Sequence, residues 1–257
     1  MKLFNEEYFI RQLSIDCVIF GYQELELKVL VSRVALPNSV WTLPGGFIRQ
    51  EESIDLAAQR ILEERTGLTD IYLEQYRVFG EPSRINHEIV EGFNNMKKEW
   101  LSKSMLDESS FQWLSKRFVS IGYYALVDIN KVSPRKGMLD TSVDWYNVKE
   151  LPTMIMDHNE MVDAALETLR QNLDQKLIGF NLLPETFTMR EVQELYEAVY
   201  DKPFARNNFQ KKMLDLNVLE RLEKKFTGAQ NKAPYLYRFQ KVTQQSMEEP
   251  QVIENLS

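Results

Sequence analysis

Apolar and β-branched side chains dominate residues 13–22 (LSIDCVIFGY) and 25–34 (LELKVLVSRV), which read as a strand pair whose turn contains Gly21. A short strand, WTLPGGF, follows and ends at Pro44, Gly45 and Gly46. The period then changes. Ile54, Ala57, Ala58, Ile61 and Leu62 recur at helical spacing, predicting a helix that is capped by Ser53, buries that face and stops at Gly67. IYLEQYRVFG, FVSIGYYALVDI and VDWYNVKEL add strands, and HNEMVDAALETLRQNL adds a strong helix.

After the connector FNLLPETF, the segment TMREVQELYEAVYD is an amphipathic helix with Thr188 as its N-cap and Val192, Leu195, Tyr196 and Val199 facing a core. FARNNFQKKMLDLNVL forms a second helix, with Phe209, Met213 and Leu216 turned inward, and two strands follow around a Gly/Pro-containing tip. The expected organisation is a mixed α and β part over residues 1–180 and a helix–helix–hairpin part, the order of a winged helix-turn-helix, over 181–241. A frayed tail over 242–257 completes it. Residues 85–117, with Trp100 and Trp113, form a polar-aromatic insert expected to hold one or two helices.

Composition changes this picture little. With 44% hydrophobic and 27% charged residues in 257, the chain has the material for two domains. There is no apolar run of ~18 residues, so no membrane span is expected. The acidic N-terminus lacks the features of a secretory signal. The single cysteine, Cys17, lies in an apolar strand and reads as core, which fits a cytoplasmic protein. Charge is more informative. Residues 202–241 hold ten Lys/Arg against three Asp/Glu, a net of +7, which leaves −14 on the rest of a chain whose total is −7. An acidic body with one basic segment points to a polyanion met by that segment alone.

Candidate chemistry sits in two places. From Gly46 the sequence runs through Glu52, Arg60, Leu62, Glu64, Gly67 and Leu68 in the register of the Nudix box. It departs at Ile61 and Arg65, where that box carries Glu. Positions 61, 64 and 65 share one helix face. In active Nudix enzymes that face gathers carboxylates around Mg²⁺ or Mn²⁺ to neutralise a diphosphate and activate water. Ile61 offers no oxygen. A charge on Arg65 at ~4 Å, in an effective dielectric of ~20, repels even a monovalent cation by about 4 kcal/mol. The box therefore resembles a vestigial one, with no catalytic residue, metal or cofactor expected. The alternative is a metal-dependent Nudix hydrolase of nucleoside diphosphate derivatives.

In the basic segment, Asn207 and Lys211 centre the outward face of the second helix, flanked by Asn208 and Gln210, with Arg206 at its start. Asn and Gln suit adenine, and Arg and Lys suit guanine or phosphate. Lys224, Lys225, Thr227, Asn231 and Lys232 surround the hairpin and would reach the DNA backbone or minor groove. His158 reads as a cap or packing residue, and His87 is assigned no role.

Together with FGEPSR, SIGYYALV, MDHNEMVDAALETLR, ARNNFQKKMLDLNVLE and APYLYRF, these motifs resemble the Nudix-related transcriptional regulators of the NrtR and AraR type. The resemblance implies an α+β chain: a Nudix α/β/α sandwich on a mixed sheet, then a small winged helix-turn-helix domain. It also implies a cytoplasmic homodimer on double-stranded, palindromic operator DNA. A small-molecule effector, ADP-ribose-like or a sugar, would bind in the Nudix pocket. The long 85–117 insert departs from the short connection of the ADP-ribose sensors and tilts the expectation towards a sugar or sugar phosphate.

Overall fold

A computed structural model describes residues 4–34, 40–84, 91, 94–95, 97, 107–173, 176–225 and 233–240. Most of the 85–117 insert and the 242–257 tail lie outside the described residues. Contacts divide the chain into residues 1–169 and 170–257.

In the first unit, β1 (Phe9–Gln23) and β2 (Glu26–Val34) form the predicted hairpin. Its two turn residues are Glu24 and Leu25, both with positive φ (54° and 65°), the backbone a tight two-residue hairpin demands. Gly21 is therefore not in the turn. It pairs with Lys28 inside β1, and its missing side chain admits the Trp145 ring, which a Cβ would approach to 3.0 Å. β3 (Val40–Thr42) pairs with β2. Gly45 and Gly46 do not end that strand; they begin a new one, β4 (Gly45–Arg49), which pairs with β1.

The remaining strands are β5 (Tyr72–Phe79), β6 (Val119–Val127) and β7 (Asp140–Asn147). The path runs β3-β2-β1-β6-β5, with β7 on β2 and β4 on β1. β1 and β6 pair in parallel, so the sheet is mixed.

Alternation along β1 sends Ile15, Cys17 and Ile19 to one face, where α1 (Ile54–Thr66) covers them. Ala57, Ala58, Ile61 and Leu62 are buried there, but Ile54 is not, because the whole first turn of α1 stands clear of the core. Ser53 Oγ accepts from the Leu56 N–H, and Gly67 ends the helix at φ 75° with its N–H on Glu63 O. Cys17 is fully buried, and burial pushes its thiol up to about 12. α2 (Glu108–Leu114), at the end of the insert, seats Trp113 among Phe4, Phe47 and Phe118. On α3 (His158–Leu173), Met161, Val162, Ala165 and Leu169 are fully buried, and Tyr76 Oη donates to Met161 O at 2.9 Å.

The second unit starts in the last turn of α3, where Arg170 Nε donates to Val199 O at 2.7 Å and Tyr200 Oη donates to Arg170 O. Thr188 and Glu191 build a complete capping box on α4 (Met189–Tyr200), which buries Val192, Leu195, Tyr196 and Val199 as its period predicts. α5 (Arg206–Asp215) buries Phe209 and Met213. Leu216 is 36% exposed, because the helix ends at Asp215 and the three-residue spacing does not carry past it. β9 (Leu219–Lys224) and β10 (Tyr235–Phe239) form the hairpin. The expected connector contributes a further strand, β8 (Phe187–Thr188), which pairs with β10.

Candidate functional site

A cleft of about 710 Å³ opens in the first unit beside the box helix. The sequence placed a vestigial box face there, and its side chains have been put to other uses. Ile61 is buried, and a Cβ on Gly46 would come within 2.8 Å of it, so the two are fitted together. Burial of such an aliphatic side chain is worth about 1.5–3 kcal/mol. Arg65 does not stand as a free charge repelling cations, as expected from sequence. Its Nη1 donates to Asp140 Oδ2 at 2.7 Å and its Nη2 to Gly45 O at 2.9 Å. Asp140 Oδ2 also accepts from Gly137 N and Ser32 Oγ, so this one carboxylate oxygen pins the helix, β2 and the start of β7. Gly137 leaves room for Arg65: a Cβ there would lie 2.0 Å from its guanidinium, which would have to shift.

The retained box residues are bound to one another. Arg60 Nε and Nη2 grip the Glu52 carboxylate at 2.9 and 2.6 Å, a bidentate pair that holds Glu52 below the ordinary carboxylate range and pushes Arg60 up. Arg60 also donates to Glu64 at 3.2 Å and to Phe47 O at 2.9 Å. Among the described residues, no group of three or more His, Cys, Asp or Glu side chains is arranged to hold a metal. A divalent ion does not fit a face built of one apolar side chain, one paired guanidinium and one carboxylate already bonded to arginine.

The rest of the cleft escaped sequence reasoning because it is assembled from distant segments. One wall is aromatic, with Phe4, Phe9, Phe47 and Phe118. Lys116, Arg135 and Lys136 line it without an ion-pair partner among the described residues. Its floor holds Asp16, Arg84 and His158. Arg84 is buried and sits 3.5 Å from Asp16 and 3.4 Å from Asp157. Ser120 Oγ donates to Asp16 at 2.5 Å. His158 is buried at the start of α3, and its Nδ1 accepts from Leu43 N at 2.9 Å. It is thus the packing residue expected, and it also lines the cleft.

In the second unit, Arg206, Asn207, Asn208 and Lys211 are exposed on α5 and Gln210 is half-buried. Asn207, Asn208 and Lys211 form no side-chain hydrogen bond or ion pair with a described residue. Lys224 lies 5.4 Å over the Tyr235 ring, beside Arg221 at 4.6 Å. Lys225 donates to Glu191 Oε1 at 2.9 Å. Burial alone would raise the Glu191 carboxyl, but hydrogen bonds from Thr188 and Lys225 outweigh it and hold it low. Thr227, Asn231 and Lys232 lie outside the described residues, as does His87.

Fold and box geometry define a Nudix domain followed by a winged helix. Residues 10–165 match the NUDIX domain family, to which the chain belongs, and residues 179–239 match the NrtR DNA-binding winged helix domain. A curated relative, the "ADPR responsive transcriptional repressor NtrR" of Acinetobacter baylyi, is 24% identical over 88% of this chain and 81% of its own. Two crystal structures of Shewanella oneidensis NrtR cover 90% of this chain and 94% of theirs. One is 26% identical with a TM-score of 0.64, and the other, complexed with a 27mer DNA, is 24% identical with a TM-score of 0.66.

Proposed function

We propose that the chain is an effector-controlled transcriptional regulator of the cytoplasm, which binds a palindromic operator as a homodimer through α5 and its hairpin. The observation that carries this reading is the outer face of α5. Asn207, Asn208 and Lys211 are exposed and bonded to no described residue, on a domain that matches a DNA-binding winged helix. The match over most of both chains to a relative named as an ADPR-responsive repressor, and to one crystallised with DNA, supports it.

The effector site is the Nudix cleft. Its cations Lys116, Arg135 and Lys136, without an ion-pair partner among the described residues, suit phosphate, and its aromatic wall suits a planar or apolar ring face. ADP-ribose and sugar phosphates are the candidate class. In gel shift, the protein should retard the upstream DNA of its own operon, and a compound of that class should change the affinity. Loss of all preference for that DNA over a scrambled duplex would sink the reading. Light scattering at micromolar concentration should give a dimer, since two recognition helices must meet half-sites about 34 Å apart. With Mg²⁺ or Mn²⁺, ADP-ribose should be cleaved barely above background. Turnover of several per second, abolished by Glu64→Gln, would install the hydrolase alternative instead.

A further inference from the structure

We infer that the floor of the cleft is a sugar-hydroxyl subsite, in which His158 Nε2–H and Arg84 Nε–H donate to adjacent hydroxyls of the effector and Asp16 accepts from one of them. This deepens the effector reading of the cleft and rests on it.

The tautomer of His158 follows from its partners. The Leu43 N–H donates to Nδ1 at 2.9 Å, so Nδ1 carries the lone pair and Nε2 carries the proton. Burial lowers the basicity of the ring, which is therefore neutral at neutral pH. That Nε2–H is buried and has no hydrogen-bond partner among the described residues. The nearest acceptor, Asp16 Oδ2, is 3.9 Å away, too far for a direct bond but suited to a bridging oxygen. Arg84 repeats the pattern. Its Nη1 donates to Phe79 O at 2.9 Å, whereas its Nε is buried and has no partner among the described residues.

Two donors without a partner among the described residues and a carboxylate thus belong to three residues that line the cleft together. Leaving a buried donor unpaired is costly, so a native site that tolerates two is built to have them filled. Charge decides by what. Asp16 and Asp157 outweigh Arg84 and disfavour a phosphate at the floor. A hydroxyl both accepts and donates, so it can take the His158 proton donor on one side and give its own proton to Asp16 on the other. Gly45 serves the same end: a Cβ there would lie 2.5 Å from Asp16 Oδ1. Phosphate groups, where the effector has them, belong at Arg135 and Lys136.

The test uses the full chain labelled with ¹⁵N. With two histidines, imidazole ¹⁵N–¹H correlations are assigned by comparison with His87→Asn. D-Ribose, L-arabinose, ADP-ribose and inorganic phosphate are titrated separately. At least one of the three sugar-bearing compounds should shift the His158 Nε2–H signal, and inorganic phosphate should not. His158→Asn keeps an acceptor for Leu43 and removes the donor; Arg84→Lys keeps the charge and removes Nε–H. Each should weaken that compound at least tenfold, with the melting temperature reporting that the fold is intact. Silence from all three compounds, a shift with inorganic phosphate alone, or unchanged affinity in both variants would overturn the inference. Operator binding without ligand, measured in parallel, separates the two readings. Sugar binding with no operator binding overturns the regulator and leaves the subsite standing.

Discussion

The two helices that the sequence marks for chemistry, α1 and α5, present charge in opposite ways. On α1 the box side chains are spent inside the fold: Arg60 on Glu52 and Glu64, Arg65 on Asp140 and Gly45, and Ile61 on the core. On α5 the outward Asn207, Asn208 and Lys211 are spent on nothing within the described residues. A motif matched letter by letter says which residue types are present. Whether they are available depends on what the rest of the chain brings to them. By that measure, α1 is built into the scaffold, and α5 is the surface that the proposed function assigns to a partner.

The comparison breaks first, and hardest, at Arg65. If it is scaffold, Arg65→Ala takes the counter-charge from Asp140, whose side chain is only 6% exposed, and leaves it only the neutral donors Gly137 N and Ser32 Oγ. The expected cost is ~3–5 kcal/mol. Arg65→Lys should recover part of this, since a lysine keeps the charge but loses the fork that reaches both Asp140 and Gly45. All four tryptophans precede residue 170, so their fluorescence in a urea titration follows the first unit alone. A loss below ~1 kcal/mol would mean that Arg65 is not structural and that its charge is free to act on ligands.

The second break is on α5. Asn207→Ala or Lys211→Ala should weaken operator binding by about 1–3 kcal/mol for whichever reaches a base edge, and affect scrambled DNA less. Neither touches Phe209 or Met213, so the melting temperature should hold. Equal affinity of both variants and the parent for operator would remove the DNA-reading role and favour a protein partner for this domain.

How far the sequence reached follows from the range of each interaction. Ser53, Gly67 and Thr188 were legible as caps because a cap is settled within three or four residues. The helix at 158–173 was legible from its period. Gly21 was misplaced because a glycine serves a turn or a close approach equally well, and Trp145, 124 positions away, decides between them. Arg65 was read as a free cation because Asp140 lies 75 residues on. The cleft floor draws on three separated segments, so nothing local announces Asp16, Arg84 and His158 as one cluster.

His158 gives the third test, smaller in size. Burial lowers its pKa below the ordinary 6.5. The unfolded chain therefore takes up a proton at a higher pH than the folded one. Stability from the neutral ring is fully present above 6.5 and is lost as the pH falls through the folded value. The slope cannot exceed about 1.4 kcal/mol per pH unit for one group. Urea midpoints of the first unit should fall as the pH drops below 6.5, and His158→Asn should flatten that fall. A midpoint that stays level in the parent would contradict a neutral buried ring.

The smallest effect asks whether commitment is graded within the hairpin itself. Lys224 and Lys225 are adjacent and both are candidates for phosphate. Lys224 lies over the Tyr235 ring, while Lys225 is bonded to Glu191, the same residue that closes the cap of α4. An exposed ion pair of this kind is worth at most about 1 kcal/mol, little enough for phosphate to compete with it. A lysine that must leave a carboxylate to reach DNA nevertheless returns less for each contact than one that leaves only a ring face. Lys224→Ala should therefore lower the salt slope of DNA binding by about one unit, on operator and scrambled duplex alike. Lys225→Ala should lower it by less, and should also loosen the α4 cap. Affinities across a salt series decide the matter for each variant. Equal losses of about one unit would place both lysines on phosphate and show that the Glu191 pair opens on the DNA. No loss from either would move the phosphate contacts to Arg206 and Lys211, and α5 would then have to do the work of both reading and anchoring.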